Sequence, residues 1–168
     1  MIRGLVIREA EEADYPAIGK LLDEAFGGNA ESRLVVQLRQ DHDAVLELVA
    51  AHELEVVGHL LFSRLRVEGD DGRSVDALAL APLAVQPKRQ RTGVGTALME
   101  NAQKLLEARD ETLCVVLGEP AYYGRFGYGR ERAAGFACEY QGEYLQALAW
   151  GEAPAAGKLV YPQAFSNL

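Results

Sequence analysis

The chain has 168 residues, of which 49% are hydrophobic and 25% charged, the balance of an ordinary globular domain that buries a core without disulfides or metals. Its 17 basic and 25 acidic residues give a net charge of −8, which argues against non-specific binding to nucleic acid or to an anionic membrane. Eleven residues, 77–87, form the longest stretch without a charge, too short for a membrane-spanning helix. The N-terminus has no signal-peptide pattern. We therefore expect one cytoplasmic domain over residues 1–168, with neither nucleic acid nor membrane as a partner.

The cysteines and histidines give no pattern typical of a metal or redox site. Cys114 and Cys138 form no C-x-x-C motif, and the three histidines have no ligand spacing with them. We expect two reduced thiols and no bound metal.

The first half of the chain predicts one strand, two helices and then a run of strands. Asp14 is expected to cap a helix whose apolar residues recur at helical spacing, and Gly27 is expected to end it. The predicted elements are a strand at 4–8, helices at 15–26 and 31–40, and strands at 44–52, 55–67 and 74–85.

The second half predicts one long helix followed by short elements. The strand at 74–85 is almost entirely apolar and is expected to be buried on both faces. After it come a helix at 93–109, a strand at 112–117, a short helix at 120–126 and two or three strands within 128–161. The pattern predicts an α+β fold around a mostly antiparallel mixed sheet, with one parallel strand–helix–strand unit at 74–117.

The segment between that buried strand and the long helix is the most informative part of the sequence. Lys88, Arg89 and Arg91 supply three positive charges in an otherwise acidic chain, and Gly93 and Gly95 open the helix. The first turn of a helix has unpaired N–H groups and a partial positive charge. Glycines allow an anion to approach that backbone without meeting a Cβ atom. The segment therefore predicts a phosphate or pyrophosphate site.

Other interpretations of these glycines are weaker or excluded. The dinucleotide motif G-x-G-x-x-G needs glycine where the sequence has Leu98, and the chain contains no G-x-x-x-x-G-K-[ST] motif. The glycines could also serve only to pack the helix closely, with the basic residues as a solvated loop.

Two motifs resemble those of a known family. Residues 90–95, Q-R-T-G-V-G, match the Q/R-x-x-G-x-G/A signature of the GNAT N-acetyltransferase superfamily. Residues 118–128, G-E-P-A-Y-Y-G-R-F-G-Y, resemble that family's Y-x-x-x-G-F/Y segment, and most closely a bacterial branch of predicted acetyltransferases with G-D-P-x-Y-Y-x-R-F-G-F. The resemblance implies a GNAT-like fold with splayed strands at the cofactor site, and transfer of an acetyl group from acetyl-CoA to an amine.

The resemblance also implies which residues hold the cofactor. The pyrophosphate of acetyl-CoA would bind the signature loop: Gln90, Arg91, Thr92, Gly93, Val94, Gly95 and Thr96. The pantetheine arm would pair like an added strand with Leu83, Ala84 and Val85. Pro82, which has no N–H, would help the signature strand to part from its neighbour.

Catalysis is expected from Tyr123, which matches the tyrosine of the family four residues before Gly127. A phenol is protonated at neutral pH and could give a proton to the departing thiolate; it could also only pack and hydrogen bond to the sulfur. Tyr122 is expected to belong to the core or the acceptor wall. The sequence does not identify a general base. Any of four acids could act through water, or the reaction could use none of them: Glu24, Glu31, Asp76 and Glu119.

The acceptor amine is not identified by the sequence. An acidic surface favours a small cationic amine over a protein. As in the family, the chain is expected to be a monomer or a homodimer. The alternative function is a non-catalytic acyl-CoA sensor or interaction module.

Overall fold

The computed structural model describes residues 2–168. Eight strands form one mixed sheet. They are β1 Val6–Glu9, β2 Ala44–His52, β3 Glu55–Glu68, β4 Ser74–Val85, β5 Leu113–Leu117, β6 Gly135–Ala137, β7 Leu145–Ala149 and β8 Ala156–Val160.

Five α-helices accompany the sheet. They are α1 Tyr15–Phe26, α2 Ala30–Gln40, α3 Val94–Ala108, α4 Pro120–Tyr123 and α5 Arg130–Ala133. A 3-10 turn over Gly124–Phe126 extends α4, so the predicted helix at 120–126 is present in two parts. No helix within residues 2–168 is long and apolar enough to cross a membrane.

The strand order is β1-β2-β3-β4-β5-β7, and β8 joins the sheet through β3 and β6. All neighbours along the main path are antiparallel except β4 and β5, which are parallel. The α+β fold and the parallel unit around α3 are therefore confirmed.

Helices cover both faces of the sheet. On one face, α3 buries Val94, Leu98 and Ala102 against β2, β3 and β4. On the other, α1 and α2 bury Ile18 and Leu38 in a second core. β4 lies between the two cores, which explains its nearly unbroken apolar sequence.

The start of the chain differs in detail from the prediction. The first strand is Val6–Glu9 rather than 4–8. Asp14 precedes α1, but its side chain does not cap the helix. Its carboxylate instead binds the Arg8 guanidinium at 2.7 and 2.9 Å and accepts a bond from the Glu11 amide. These contacts lower the pKa of Asp14 to about 2, because the Arg8 guanidinium stabilises the charged carboxylate. The carboxylate is therefore bound to Arg8 and does not cap the first turn of α1.

The prediction for the end of the chain is incomplete. Three strands, β6 to β8, lie within 128–161 as expected, but the helix α5 was not predicted. It has four residues, too few to show a helical spacing of apolar side chains.

Candidate active site

The candidate site is a groove of about 500 Å³ between the end of β4 and the beginning of α3. It brings together seven residues that the sequence predicted for the cofactor: Leu83, Val85, Gln90, Arg91, Gly93, Gly95 and Thr96. Tyr122 and Arg125 complete the lining.

The groove exists because β4 and β5 part from one another. Their ladder ends at the pair Leu80 and Val116, although β4 continues to Val85. Just beyond that pair, the register between β3 and β4 shifts, so that β4 carries an extra residue around Ala81 and Pro82. A bulge bends the strand that contains it. The final residues of β4 therefore have a free edge on the side that faced β5.

The free edge belongs to Leu83 and Val85. The Gln86 amide donates to the Val57 carbonyl of β3, and backbone groups alternate in direction along a strand. The backbone of Ala84 consequently faces β3, while those of Leu83 and Val85 face the groove. The side-chain amide of Gln90 donates to the Val85 carbonyl at 3.3 Å, which shows that this carbonyl points away from β3.

The signature loop presents backbone N–H groups to the groove. Arg91 and Gly93 have φ angles of 64° and 94°, in the left-handed region. This conformation turns the chain sharply into α3. The first amide of α3 that bonds within the helix is that of Ala97, which donates to the Gly93 carbonyl. The amides before it have no partner within the helix, because the first turn of a helix offers them none.

Three predicted cofactor residues lie close by without lining the groove. Ala84 and Val94 are buried in the two cores. The Thr92 hydroxyl donates to the Arg89 carbonyl and fastens the loop internally.

Arg125 is a groove residue that the sequence analysis did not select. Its guanidinium donates to the Thr96 hydroxyl at 3.1 Å and lies 5.5 Å from the centre of the Tyr122 ring. It thus adds a cation beside Arg91 at the start of α3. Tyr122 and Arg125 are three residues apart, a spacing that places them on one side of a helical turn. This spacing was the sequence signal that could have identified Arg125.

Tyr122 lines the groove rather than the core, and a role in the acceptor wall stays a prediction. A Cβ atom at Gly95 would lie 2.5 Å from the Tyr122 hydroxyl oxygen. The ring therefore reaches the first turn of α3, and glycine at position 95 leaves room for it.

Tyr123 points in another direction, toward the end of β5. A Cβ atom at Gly118 would lie 2.5 Å from its Cε2 atom. Burial, together with the neighbouring Tyr122, raises the pKa of Tyr123 to about 12. The phenol therefore keeps its proton throughout the neutral range.

The four acids considered as general bases are spread over the molecule. Glu24 and Glu119 are exposed, Glu31 is half-buried on α2, and Asp76 is exposed near the start of β4, remote from the groove. None of them lines the groove.

A buried polar cluster beneath α2 was not predicted. Glu47 accepts bonds from Arg39 at 2.6 and 3.0 Å and from His59 Nε2 at 2.7 Å. Burial lowers the pKa of His59, which makes it a neutral donor. Although burial opposes it, the bonds from His59 and Arg39 hold the pKa of Glu47 below its ordinary value. The cluster faces α1 and α2, away from the groove.

The chain matches a family of known proteins over most of its length. The family described as "Acetyltransferase (GNAT) domain" matches residues 6–130. A relative from Escherichia coli K12 named "Uncharacterized N-acetyltransferase YhbS" is 34% identical over 139 residues, which cover 82% of this chain and 81% of the relative. A second from the same strain, "Uncharacterized N-acetyltransferase YjhQ", is 35% identical over 120 residues, or 70% of this chain and 66% of the relative.

Solved structures resemble this chain over nearly its whole length. A GNAT family acetyltransferase from Brucella melitensis in complex with acetyl-CoA has a TM-score of 0.83 at 28% identity, covering 98% of this chain and 99% of that one. YhbS from Escherichia coli in complex with CoA has a TM-score of 0.85 at 29% identity, covering 96% and 92%.

Proposed function

Because this chain belongs to the GNAT acetyltransferase family and is an acyltransferase, we propose that it transfers the acetyl group of acetyl-CoA to a primary amine by direct attack in a ternary complex. The groove at the parting of β4 and β5 carries this proposal. It combines a free strand edge, a helix N-terminus and two arginines. The relatives of known structure from Brucella melitensis and Escherichia coli are complexes with acetyl-CoA and CoA.

The pyrophosphate would bind at the start of α3. Residues 91–96 supply the backbone N–H groups, and the partial positive charge of the helix end favours an anion there. Arg91 and Arg125 lie in the lining of the same groove, and guanidinium groups bind phosphate oxygens in a forked geometry. Lys88 is less suited, because it lies 3.9 Å from Glu55.

The pantetheine arm would continue along the free edge of β4. Its amides can pair with the backbone groups of Leu83 and Val85 as an added strand does. The Gln90 amide that now bonds the Val85 carbonyl would give way to the arm. This path delivers the thioester to the point where β4 and β5 part.

The reaction needs a neutral amine and a proton for the leaving group. The amine loses one proton to solvent, and its nitrogen then attacks the thioester carbon. The C–N bond forms, the C–S bond breaks, and the second amine proton is released as the amide forms. Tyr123 lies beside the end of β5 with its pKa raised to about 12 by burial and by Tyr122. It would donate its proton to the thiolate and recover one from the reacting amine through solvent.

Calorimetric titration with acetyl-CoA tests the cofactor site. We expect binding in the micromolar range, with NAD and ATP binding more weakly and dephospho-CoA showing what the 3′-phosphate contributes. Gly93→Asp should abolish binding, because it puts a carboxylate beside the expected pyrophosphate. Gly72→Asp is the matched control: Gly72 has a similar φ of 79°, open space around it, and lies in the turn before the opposite end of β4. Absence of acetyl-CoA binding to the unmodified chain would refute the proposal.

A further inference from the structure

A second cavity lies at the parting of β4 and β5 and shares no lining residue with the groove. Its volume is about 160 Å³. Its lining comes from the last paired residues of the two strands and from the C-terminal part of the chain: Ala79, Leu80, Ala81, Val115, Val116, Leu117, Tyr140, Tyr161, Phe165 and Leu168.

The cavity lies mainly on the face of the sheet opposite the groove, and Leu80 and Val116 of its lining reach it from the core beneath α3. Leu83, Val85 and Tyr123 of the cofactor side pack against the core beneath α3. Ala79 and Val115, which line the cavity, belong to the core on the α1 and α2 side. A thioester at the parting would therefore have the groove on one side and the cavity on the other, the direction from which an acceptor can attack.

The lining is apolar and aromatic. Tyr140, Tyr161 and Phe165 form an edge-to-face series with ring centres 5.1 and 5.4 Å apart. None of the ten lining side chains is charged. The wall can therefore enclose a hydrocarbon group, whereas a carboxylate would find no cation there.

The size of the cavity limits the group that fits. An apolar cavity of roughly 150 Å³ in a protein core binds benzene, and this one has about 160 Å³. One phenyl ring or one branched alkyl group of similar bulk would fill it.

Acidic side chains lie near the mouth of the cavity. Leu117 lines the cavity and is half exposed, and the Gly118 amide after it donates to the Tyr144 carbonyl. Glu143 and Glu119 both act on the Tyr144 phenol and raise its pKa. Carboxylates on the chain segments next to Leu117 favour the approach of an ammonium group over that of a carboxylate.

We propose that this cavity is the acceptor subsite, and that the acceptor is a small primary amine with one compact apolar group and no α-carboxylate. The inference rests on the proposed function. The ring or branched alkyl group occupies the cavity, and the amine points toward the parting of the strands. Its nitrogen forms the bond to the acetyl carbon while the C–S bond of acetyl-CoA breaks.

An amine panel tests the class of acceptor. We expect kcat/KM for 2-phenylethylamine and isoamylamine to exceed that for ethylamine, putrescine and phenylalanine by about tenfold or more, because burial of a few methylene groups is worth at least that in specificity. Release of CoA and formation of the acetylated amine are both measured.

Two variants locate the subsite. Ala81→Leu fills the cavity from within, and Leu117→Trp narrows its mouth at a half-exposed position. Each should lower the ratio of kcat/KM for 2-phenylethylamine to that for ethylamine by about tenfold, with the Kd for acetyl-CoA held within about twofold. Val6→Trp, at a comparably exposed strand position, is the control and should leave the ratio as it is.

The outcomes separate this inference from the function on which it rests. If acetyl-CoA does not bind, the proposed function fails. If acetyl-CoA binds but putrescine or phenylalanine is the better acceptor, or no amine of the panel is acetylated, the inference fails alone. It also fails if Ala81→Leu impairs the use of hexanoyl-CoA but not the choice of amine, since the cavity would then hold the acyl chain.

Discussion

Tyr122 and Tyr123 are neighbours in sequence, but their side chains contact different elements. Their ring centres are 5.0 Å apart with the planes nearly perpendicular. Successive helical residues point about 100° apart, so Tyr122 reaches the first turn of α3 while Tyr123 reaches the end of β5. The phenol pKa of Tyr123, raised to about 12 by burial and by Tyr122, keeps the hydroxyl protonated and able to donate a hydrogen bond throughout the neutral range.

Replacing Tyr123 with phenylalanine tests its role as the acid. Tyr123→Phe should lower kcat by about 10²–10⁴-fold, the range that general acid catalysis supplies, and should leave the Kd for acetyl-CoA within about twofold. Because its pKa is about 12, the unmodified enzyme should show no alkaline loss of activity from Tyr123 below about pH 11.

Tyr15→Phe is the control for that experiment, since Tyr15 lies on α1 outside both the groove and the cavity, and phenylalanine keeps the ring against Arg39. A Tyr123→Phe enzyme that keeps full kcat would show that the phenol only packs beside the sulfur.

At the scale of elements, the groove depends on the contact between α3 and α4. Gly95 in the first turn of α3 leaves room for the Tyr122 hydroxyl of α4, and Arg125 after α4 bonds Thr96 of α3. These contacts hold α4 against the expected pyrophosphate site. Glycine at position 95 thus leaves room for the Tyr122 hydroxyl, in addition to the expected close approach of a phosphate.

The contact predicts a specific coupling between two positions. Gly95→Ala places a methyl group against the Tyr122 hydroxyl and should lower the free energy of unfolding by about 1–3 kcal/mol, the usual cost of overpacking. In a Tyr122→Phe background the hydroxyl is gone, and the same alanine should cost little. Urea unfolding of the four proteins in the cycle measures the coupling. Additive effects would contradict the contact.

At the scale of the whole molecule, the cluster of Arg39, Glu47 and His59 ties α2 to the sheet. Arg39 also lies 3.5 Å from the centre of the Tyr15 ring, which joins α1 to the cluster. His59 is fully buried, and its Nδ1 has no partner among the described residues. A neutral imidazole that donates from Nε2 fits this arrangement, since Nδ1 is then only an unused acceptor.

The buried histidine predicts how stability depends on pH. Burial lowers the pKa of His59 in the folded chain, so the unfolded chain takes up a proton first as the pH falls through about 6.5. Stability from this residue is therefore present above pH 6.5 and is lost below it. The free energy of unfolding should decline from pH 7 to pH 5.

The decline should be smaller in His59→Gln, which keeps a donor for Glu47 but does not titrate. His42→Gln is the control, because His42 is exposed. Equal slopes for His59→Gln and the unmodified chain would show that another group governs this range of pH.

Local patterns in the sequence were sufficient for most elements and for the cofactor loop. The apolar spacing in α1 and α3, the apolar run of β4 and the glycines at 93 and 95 are short-range signals of backbone conformation. They led to the fold class and to a phosphate site at the start of α3, and the resemblance to the family added the other predicted residues that line the groove. The prediction that Asp14 caps α1 is wrong, because a local capping rule does not account for the ion pair between its carboxylate and Arg8.

Neighbours in the chain set most of the helices and strands and the junction of a helix start with a basic, glycine-rich loop, so the sequence was enough to predict them. Long-range packing determines that β4 and β5 part after Leu80 and that Tyr122 and Arg125 enter the groove. It also determines that residues from β4, β5 and the C-terminal part enclose an apolar cavity. These features join residues that are distant in sequence. Their geometry is set by strand register and by the packing of the two cores, which no local pattern encodes.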